Sequence, residues 1–454
     1  MRLKTSQHLQ TVRSSTGALC FHSLLGNLYF LEPEYVGALD SYVEPSQIKR
    51  NRARCKVIQE LRQAKFLVPE DEDEREYPRI RNQEWMQKVH SGGQLRLLNL
   101  VISEACNFGC SHCLHSCSTG TSTSHGQKKL MDWETAQKAI DEYAAVMQIW
   151  DTHPLDVHFG SAEPLLNWSV LEQAIYYTRG LDPNAKLSVN TNLSLITKSM
   201  IKVLKANEIY ISTSLDGPPA GNDAIRTFKD GGATFNAIVS KFGLLEEMDY
   251  PLDGFSITLN DLNFDVVNPD FIDWAYQRGM KGIATDVDMI NTAQANRDVN
   301  NCVLKLMELR FACQARGMEN FGSWTTSYDH LVNEPIDNMP TFCRAAKGQN
   351  ISVNPEGWLF ICGHTTTPIG RIDHLEEALS ERSPYCQLVK SRLPGEDPEC
   401  MGCEIEGLCA GQCQITREVS RATGNNRDKT MCELYRNATR VLLKEKLDQE
   451  LEGG

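Results

Sequence analysis

The sequence lacks a hydrophobic run long enough for a membrane span, because no stretch approaches the roughly 18 consecutive apolar residues that a transmembrane helix needs. Its N-terminus, MRLKTSQHLQTVRSS, is polar and lacks the apolar core of a signal peptide. An excess of basic charge is also missing, since 59 Asp and Glu outweigh 46 Lys and Arg for a net charge of −13. These absences predict a cytoplasmic protein that binds neither membranes nor nucleic acid.

Cysteine, in contrast, is abundant, with 16 copies in 454 residues. In a reducing cytosol, closely spaced cysteines mark metal or catalytic sites more often than disulfides. The sequence therefore predicts metal sites where its cysteines cluster, with disulfide bonds as the weaker alternative.

The first cysteine group lies in ACNFGCSHCLHSC, directly after the apolar stretch LRLLNLVIS. Cys106, Cys110 and Cys113 follow the spacing C-x-x-x-C-x-x-C. Three thiolates at this spacing can hold a [4Fe–4S] cluster and leave one iron without a protein ligand. Zinc is the competing interpretation, because a structural zinc site needs four ligands and His115 or Cys117 could supply the fourth.

Residues 1–69 read as a small unit of their own. Apolar and polar positions alternate around Gly26–Asn27, which predicts a β-hairpin, and SQIKRNRARCKVIQELRQAKFLV predicts an amphipathic helix. The stretch that follows, residues 70–94, begins with the charged run PEDEDEREYPRIRNQ and is interpreted as a linker.

From residue 95 to residue 330, apolar strand patterns alternate with helical patterns through six β/α units. The predicted strands are LRLLNLVIS, PLDVHFG, AKLSVNTN, IYISTSLDG, DGFSITLN and KGIATDVDMI. Such alternation predicts an α/β fold with a parallel sheet, open or curled into a partial barrel. Ligands of these folds collect at the carboxyl ends of the strands, where the first cysteine group lies.

Residues 331–454 lose the alternation and are rich in cysteine. CRAAKGQNISVNPEGWLFIC predicts a hairpin that turns at Asn354–Gly357 and has a cysteine at each end. The spacing from Cys400 to Cys413, with Cys432 beyond it, is dense enough for metal binding, and zinc is again the physical competitor.

Four segments together resemble the radical S-adenosylmethionine (SAM) enzymes, whose first cluster binds SAM through its open iron. The first is the cysteine group itself, and the others are HFGSAEPLLN, SVNTNLSLIT and STSLDGPPAGNDAIR, with GGATF following. HFGSAEPLLN resembles the Gly-Gly-Glu-Pro motif of that family. One segment falls in each successive β/α unit, so the resemblance predicts a radical SAM core.

The resemblance also implies roles for single residues. His112 would stack on adenine, Glu163 would accept from the SAM ammonium, and Arg226 would hold the SAM carboxylate. The remaining implied SAM contacts are Ser161, Ala162, Asn190, Asn192, Ser212 and Ser214. By the same resemblance, the cluster held by Cys106, Cys110 and Cys113 cleaves SAM, once it is reduced, to methionine and a 5′-deoxyadenosyl radical. This radical removes a hydrogen atom from carbon.

The C-terminal cysteines resemble the SPASM extension of radical SAM enzymes, which carries two auxiliary [4Fe–4S] clusters. The resemblance assigns one cluster to Cys400, Cys403, Cys409 and Cys432, and the other to Cys343, Cys362 and Cys413. The three-cysteine set leaves one iron open to a substrate thiolate, or to Cys386, water or another side chain. With the SAM-binding cluster, three [4Fe–4S] clusters are expected.

SPASM proteins mostly modify peptides, and residues 1–69 resemble the winged-helix element that binds the leader of a precursor peptide as an added strand. A plain structural cap is the alternative for this unit. The expected activity is removal of hydrogen from a peptide side chain, followed by an intramolecular C–C, C–O or thioether cross-link. The implied partners are a precursor peptide and an electron donor such as flavodoxin or ferredoxin.

Two other activities compete with the maturase hypothesis. One is side-chain oxidation of the sulfatase-maturing kind. In enzymes of that kind, we expect an acidic residue just after the cysteine that corresponds to Cys362, where it takes the substrate proton. Here the residue is Gly363, which disfavours this activity. The catalytic base would then be Asp216 or another strand-end carboxylate. The other alternative is a non-catalytic iron–sulfur protein for redox or binding.

Overall fold

Strands and helices alternate through most of the described part of the chain. A computed structural model describes residues 3–14, 17–32, 52–114, 129–288, 298–333 and 339–452. The strands are β1 (Leu3–Thr5), β2 (Leu9–Ser14), β3 (Gly17–His22), β4 (Leu28–Leu31), β5 (Leu67–Pro69), β6 (Leu97–Leu100), β7 (Asp156–Phe159), β8 (Lys186–Asn190), β9 (Tyr210–Ser212), β10 (Gly254–Leu259), β11 (Gly282–Val287), β12 (Glu319–Phe321), β13 (Asn350–Val353), β14 (Trp358–Phe360) and β15 (Gly370–Arg371).

The α-helices connect these strands and close the chain. They are α1 (Arg52–Gln63), α2 (Glu76–Val89), α3 (Trp133–Ile149), α4 (Trp168–Leu181), α5 (Lys198–Ala206), α6 (Pro219–Ile225), α7 (Phe235–Glu247), α8 (Pro269–Gln277), α9 (Val299–Gln314), α10 (Thr326–Val332), α11 (Leu375–Ala378), α12 (Pro384–Lys390), α13 (Glu406–Cys409), α14 (Gln414–Thr423) and α15 (Arg427–Glu452). Among the described residues, no helix combines the length and the apolar character needed to cross a bilayer.

The N-terminal unit contains the predicted hairpin. Strands β2, β3 and β4 form a three-stranded antiparallel sheet, and β1 pairs with β5. Ile58 and Leu61 of the predicted amphipathic helix are buried with Leu3 and Phe66 in a small apolar core. The unit therefore has a core of its own, while its likeness to a winged helix stays a prediction.

The charged stretch at residues 70–94 differs from the linker that the sequence suggests, because it contains helix α2. Trp85, Met86 and Val89 of this helix are buried, and the Trp85 indole donates to the Lys347 carbonyl oxygen at 2.8 Å. Arg75, just before the helix, pairs with Glu406 through two hydrogen bonds of 2.8 and 3.0 Å. These contacts show that the segment packs against the C-terminal region.

All six predicted strands between residues 95 and 330 are present, and each helical pattern between them forms a helix. Strands β6, β7, β8 and β9 are parallel neighbours, as are β10, β11 and β12. A parallel bridge between Ser214 and Ser256 joins the two groups. The α/β class is thus confirmed, and the partial-barrel closure stays a prediction.

Alternation along the strands gives the parallel sheet two different faces. One face, with residues such as Leu98, Phe159 and Val189, is buried in the main apolar core. The other carries polar side chains, which we call the polar face: Asn99, His158, Ser188, Ser256, Thr258 and Asp286. Because the strands are parallel, their carboxyl ends open at the same edge as the first cysteine group.

The predicted hairpin of the C-terminal region also belongs to this sheet. Strands β13 and β14 pair antiparallel around a turn in which the Asn354 side chain accepts from the Glu356 and Trp358 amides. Strand β13 in addition lies parallel to β6, with Asn350 opposite Leu97. The C-terminal region therefore completes the edge of the sheet next to the cysteine loop.

We expect Trp85→Ala to lower the free energy of unfolding by about 3 to 5 kcal/mol, because it removes a buried indole and its hydrogen bond. Tyr77→Ala on the same helix is the matched control, since Tyr77 is 53% exposed and should cost less than about 0.5 kcal/mol. Chemical denaturation of both variants measures the difference. Equal, small effects would show that α2 does not pack as described.

Candidate functional site

The loop after β6 places the three cysteines of the first group side by side. Burial raises the pKa of the Cys110 thiol to about 11, against the opposing effect of Arg226, and Cys113 and Cys106 raise it further. Burial also raises the pKa of Cys106. The three thiols are thus close enough to influence one another, as a shared ligand requires.

Hydrogen-bond donors point at the sulfur of Cys106. The Phe108 amide donates to it at 3.4 Å and the Asn192 side-chain amide at 3.7 Å. Such N–H···S contacts stabilise a thiolate, which is the form that binds iron. The donor chemistry therefore fits a cluster, whereas His115 and Cys117, the extra ligands considered for zinc, lie outside the described residues.

Within the described ranges, no three His, Cys, Asp or Glu side chains converge on a position for one metal ion. A four-iron cluster binds each thiolate at a different iron, so its ligands stand farther apart than those of a single zinc ion.

The cysteine loop is held against the segment that follows β9. The Gly109 amide donates to the Thr227 carbonyl oxygen at 2.8 Å, and the Ser111 amide donates to that of Ile225 at 3.0 Å. The rings of Phe108 and Phe228 meet edge to face at 5.0 Å. The first and fourth implied SAM-binding segments therefore lie together.

Glu163 is completely buried and connects three strand-end loops. Its Oε1 accepts from the Leu165 amide at 3.0 Å and the Thr191 hydroxyl at 2.6 Å, and its Oε2 accepts from the Asn192 amide at 2.8 Å. Its own amide donates to the Ala105 carbonyl oxygen at 3.0 Å. Burial raises the pKa of Glu163 to about 7, against these hydrogen bonds, which lower it.

Two positions that depart from the family pattern keep a backbone conformation that favours glycine. Ser161 and Leu193, which stand where glycine is usual, have φ values of 82° and 64°. Ser161 donates to the Gly363 carbonyl oxygen at 2.8 Å, and Leu193 is fully buried. Both residues therefore adopt the left-handed conformation, and contacts of their side chains stabilise it.

The two asparagines near β8 occupy different surroundings. Asn190 ends the strand and is exposed. Asn192 donates to the Asn107 side-chain oxygen at 2.9 Å and accepts from the Ser194 hydroxyl at 2.7 Å. Asn192 therefore braces the cysteine loop in addition to any contact with SAM.

Arg226, the implied partner of the SAM carboxylate, is already paired with Asp216. Its Nε donates to Asp216 Oδ2 at 2.6 Å and its Nη2 donates to Oδ1 at 3.3 Å. Thr258 adds an amide hydrogen bond to Asp216 Oδ1 at 2.8 Å. Asp216 is fully buried and held by these donors, which suits a residue that positions Arg226 better than one that takes a substrate proton.

His112 lies beside this pair, with Nε2 3.2 Å from Arg226 Nη2 and 3.5 Å from Asp216 Oδ2. Burial lowers the pKa of His112, while Asp216 raises it. Among the described residues, the buried Nδ1 has no hydrogen-bond partner. The imidazole thus connects the cysteine loop, to which it belongs, with the Arg226–Asp216 pair.

The other implied SAM contacts lie at the same edge. The Ser214 and Ser256 hydroxyls are 2.7 Å apart, and Ser212 donates to the Val189 carbonyl oxygen at 3.4 Å. Ala162 directly precedes Glu163 and is partly buried. The four segments therefore meet in space as their order in the sequence suggests.

The four-cysteine set of the C-terminal region is gathered around a strained loop. Ala410, Gly411 and Gln412 all have positive φ, and this turn directs the Gln412 amide to Cys409 Sγ at 3.2 Å. The Gln412 side chain donates to Cys432 Sγ, also at 3.2 Å. Burial raises the pKa of Cys409 to about 12, and Cys432 and Cys403 raise it further.

The three-cysteine set also comes together. Burial raises the pKa of Cys362 to about 12, with further increases from Cys343 and Cys413. Cys386, a candidate fourth ligand, instead donates its thiol hydrogen to the Leu379 carbonyl oxygen at 3.4 Å. The assignment of both sets as cluster ligands stays a prediction.

Sequence reasoning missed the side chains that support these groups. Thr191 and Gln412 donate to Glu163 and to two cysteines, respectively. Each lies within three residues of a motif position, but neither residue type signals such a role by itself.

Residues 100–269 match the family model of the radical SAM superfamily. This chain contains a radical SAM domain. The predicted assignment to the radical SAM enzymes is confirmed, and the domain implies a [4Fe–4S] cluster and SAM.

Related proteins extend the match beyond that domain. The chain is 24% identical over 459 residues to the radical SAM cyclopropyl synthase TigE of Paramaledivibacter caminithermalis, covering 97% of this chain and 96% of TigE. The structure of Streptococcus suis SuiB bound to S-adenosylmethionine matches 94% of this chain and 98% of SuiB, at a TM-score of 0.56 and 14% identity. The structure of anSMEcpe with bound AdoMet and the Cp18Cys peptide matches 78% of this chain and 99% of the anSMEcpe chain, at a TM-score of 0.59 and 15% identity. At these identities the two structures show the fold alone.

We expect Glu163→Gln to weaken SAM binding about 10- to 100-fold, because it would remove the charged hydrogen bond to the SAM ammonium that the resemblance implies. In the wild-type protein, acidification below pH 7 protonates the carboxylate and should weaken binding in the same way. Equilibrium binding to the anaerobic, cluster-loaded protein between pH 5.5 and 7.5 measures both effects. The matched control is Glu247→Gln, at an exposed ion pair with Lys198. A variant that retained wild-type affinity would contradict this role.

Proposed function

We propose that this radical SAM protein is a peptide maturase that forms a new bond within a leader-bound precursor peptide. The near-complete alignment with TigE carries the proposal, because it includes the N-terminal unit and the cysteine-rich C-terminal region as well as the radical SAM domain. SuiB, whose fold matches almost the whole chain, has been solved with a precursor peptide, SuiA. Side-chain chemistry on a peptide fits both relationships.

Cys106, Cys110 and Cys113 would hold the SAM-binding cluster. When bound, the cluster and SAM supply a 5′-deoxyadenosyl radical that removes a hydrogen atom from carbon. Glu163 would hold the SAM ammonium, and the Asp216-braced Arg226 would hold its carboxylate. Holding both ends of the amino-acid group fixes the reacting atoms, which is the main contribution of the protein to such a reaction.

The C-terminal cysteines would hold two auxiliary [4Fe–4S] clusters in the two sets described above. Buried thiols with N–H donors at sulfur support this, as at Cys409 and Cys432. Oxidative bond formation also needs an electron acceptor, which clusters supply. An external donor such as flavodoxin or ferredoxin would provide the electron that starts the reaction.

The bond formed would be intramolecular, and the alignment with a cyclopropyl synthase favours C–C closure over C–O or thioether closure. Mass spectrometry of the peptide encoded beside the gene, co-expressed with the enzyme, tests this. A loss of two hydrogens without an aldehyde supports ring or cross-link formation. An aldehyde product would instead support side-chain oxidation of the sulfatase-maturing kind.

Among the described strands, β4 is an edge of the N-terminal sheet, and we propose that the leader binds there. The His22 amide donates to the Asn27 carbonyl oxygen at 3.0 Å. Since bonded pairs alternate in an antiparallel ladder, the next pair, Phe21 and Leu28, leaves the Leu28 amide pointing away from β3. An added peptide strand would bond to such outward groups.

We expect the triple variant with Cys106, Cys110 and Cys113 changed to Ala to lose SAM cleavage and to retain about eight irons of about twelve, at four per cluster. Iron analysis and 5′-deoxyadenosine formation under strict anoxia measure the two results. Cys313→Ala, at a buried thiol outside the three sets, should retain both. Cleavage by the triple variant would refute the assignment, and absence of cleavage by the wild type would favour a non-catalytic iron–sulfur protein.

We expect Leu28→Pro to weaken leader binding about tenfold, since it removes one outward backbone donor. Leu28→Ala keeps that donor and is the matched control. Fluorescence anisotropy with a labelled leader peptide measures affinity, and circular dichroism confirms folding. Equal affinities of the Pro and Ala variants would place the leader elsewhere.

A further inference from the structure

The polar face carries a carboxyl group that none of the implied SAM contacts uses. Asp286 lies near the carboxyl end of β11, directly opposite Thr258 of β10. Thr258 in turn donates its amide to Asp216, the partner of Arg226. Asp286 therefore lies two strands beyond β9, the last strand that a proposed SAM-binding segment follows, and at the same edge of the sheet.

This position suits contact with a substrate. The segments that would bind SAM follow β6, β7, β8 and β9, so the ends of β10 and β11 remain for the molecule that reacts. Asp286 is only partly buried as a residue. Its neighbours Ile283 and Thr285, on the opposite face, are fully buried, so the carboxyl group belongs to the polar face of the sheet.

A turn that follows β12 orients the carboxyl group. Ser323 donates to Asp286 Oδ1 through its amide at 2.8 Å and through its hydroxyl at 2.5 Å. The turn approaches closely, since a Cβ at Gly322 would lie 2.2 Å from the Thr285 carbonyl oxygen. Both hydrogen bonds fall on Oδ1, and no described residue bonds to Oδ2, which leaves that oxygen for a substrate.

The same serine connects the carboxyl group to the C-terminal region. The Ser323 hydroxyl lies 3.4 Å from the hydroxyl of Tyr435 in α15. Because the serine proton is given to Asp286, the tyrosine proton can be given to the serine oxygen. Tyr435 is fully buried and packs on Phe342, next to Cys343. Ser323 and Tyr435 are thus positioning residues.

We propose that Asp286 is the base that takes the substrate proton in the bond-forming step, an inference that rests on the proposed function. One hydrogen leaves the peptide as an atom, to the 5′-deoxyadenosyl radical. The second leaves as a proton to Asp286 Oδ2 while the new bond forms. The electron released at the same time goes to a one-electron acceptor of the iron–sulfur class, so the peptide loses two hydrogens in all.

The protonation behaviour of Asp286 agrees with this role. Burial raises its pKa from 3.8 to about 6, against the two hydrogen bonds from Ser323, which lower it. At neutral pH the group is ionised and can accept a proton. Among the described residues, the groups that interact with this carboxyl group are Ser323 from the turn and Tyr435 from α15.

The test compares Asp286→Asn with wild type on the synthetic peptide encoded beside the gene. We expect the variant to form 5′-deoxyadenosine in response to peptide, but to form about 100-fold less modified peptide. Asp253→Asn is the matched control, because Asp253 is exposed and lies at the opposite end of β10. Ser323→Ala should shift the acid limb of product formation to higher pH, since the lost hydrogen bond favoured the carboxylate.

A second measurement uses stability. The folded pKa is raised, so ionisation of Asp286 destabilises the fold as pH rises from about 4 to about 6. Asp286→Asn should therefore gain stability relative to wild type over that range, by chemical denaturation. A pH-independent difference, or normal product formation by the variant, would overturn the role of Asp286 and leave the proposed function standing. If the wild-type enzyme modified no peptide, both would fail.

Discussion

The buried carboxyl group of Glu163 is the contact on which the site depends. Through side chain and backbone it connects Ala105, Leu165, Thr191 and Asn192, and these residues belong to the loops after β6, β7 and β8. A charge with no solvent exposure is unfavourable unless donors surround it. The loops must therefore adopt one arrangement to satisfy Glu163, and that arrangement also fixes the cysteine loop.

The order of elements could be predicted from the sequence, because it depends on local periodicity. The six strands and their helices, and the hairpin at Asn354–Gly357, all follow apolar patterns a few residues long. Helix α2 was missed because its charges hide a sparse apolar stripe that ends at Val89. The pairing of β13 with β6 was missed because these strands are far apart in the sequence, and local periodicity does not indicate which strands pair.

The candidate site shows the same division between local and distant information. Motif residues such as Cys106, Glu163 and Arg226 could be named in advance from their order in the chain. Their partners could not, because contacts such as the Thr258 amide with Asp216, the partner of Arg226, form only in the folded sheet. Asp286 and Ser323 are also far apart in sequence, and only the folded sheet brings the serine to the carboxyl group.

The parallel pairing of β13 with β6 has a consequence for synthesis of the protein. During translation, β6 and the cysteine loop leave the ribosome long before β13. Until β13 has been synthesised, the edge of β6 that pairs with it has no neighbouring strand, and the backbone groups of that edge are exposed. The cysteine loop would thus reach its folded surroundings, and be ready to receive a cluster, only after most of the polypeptide has been made.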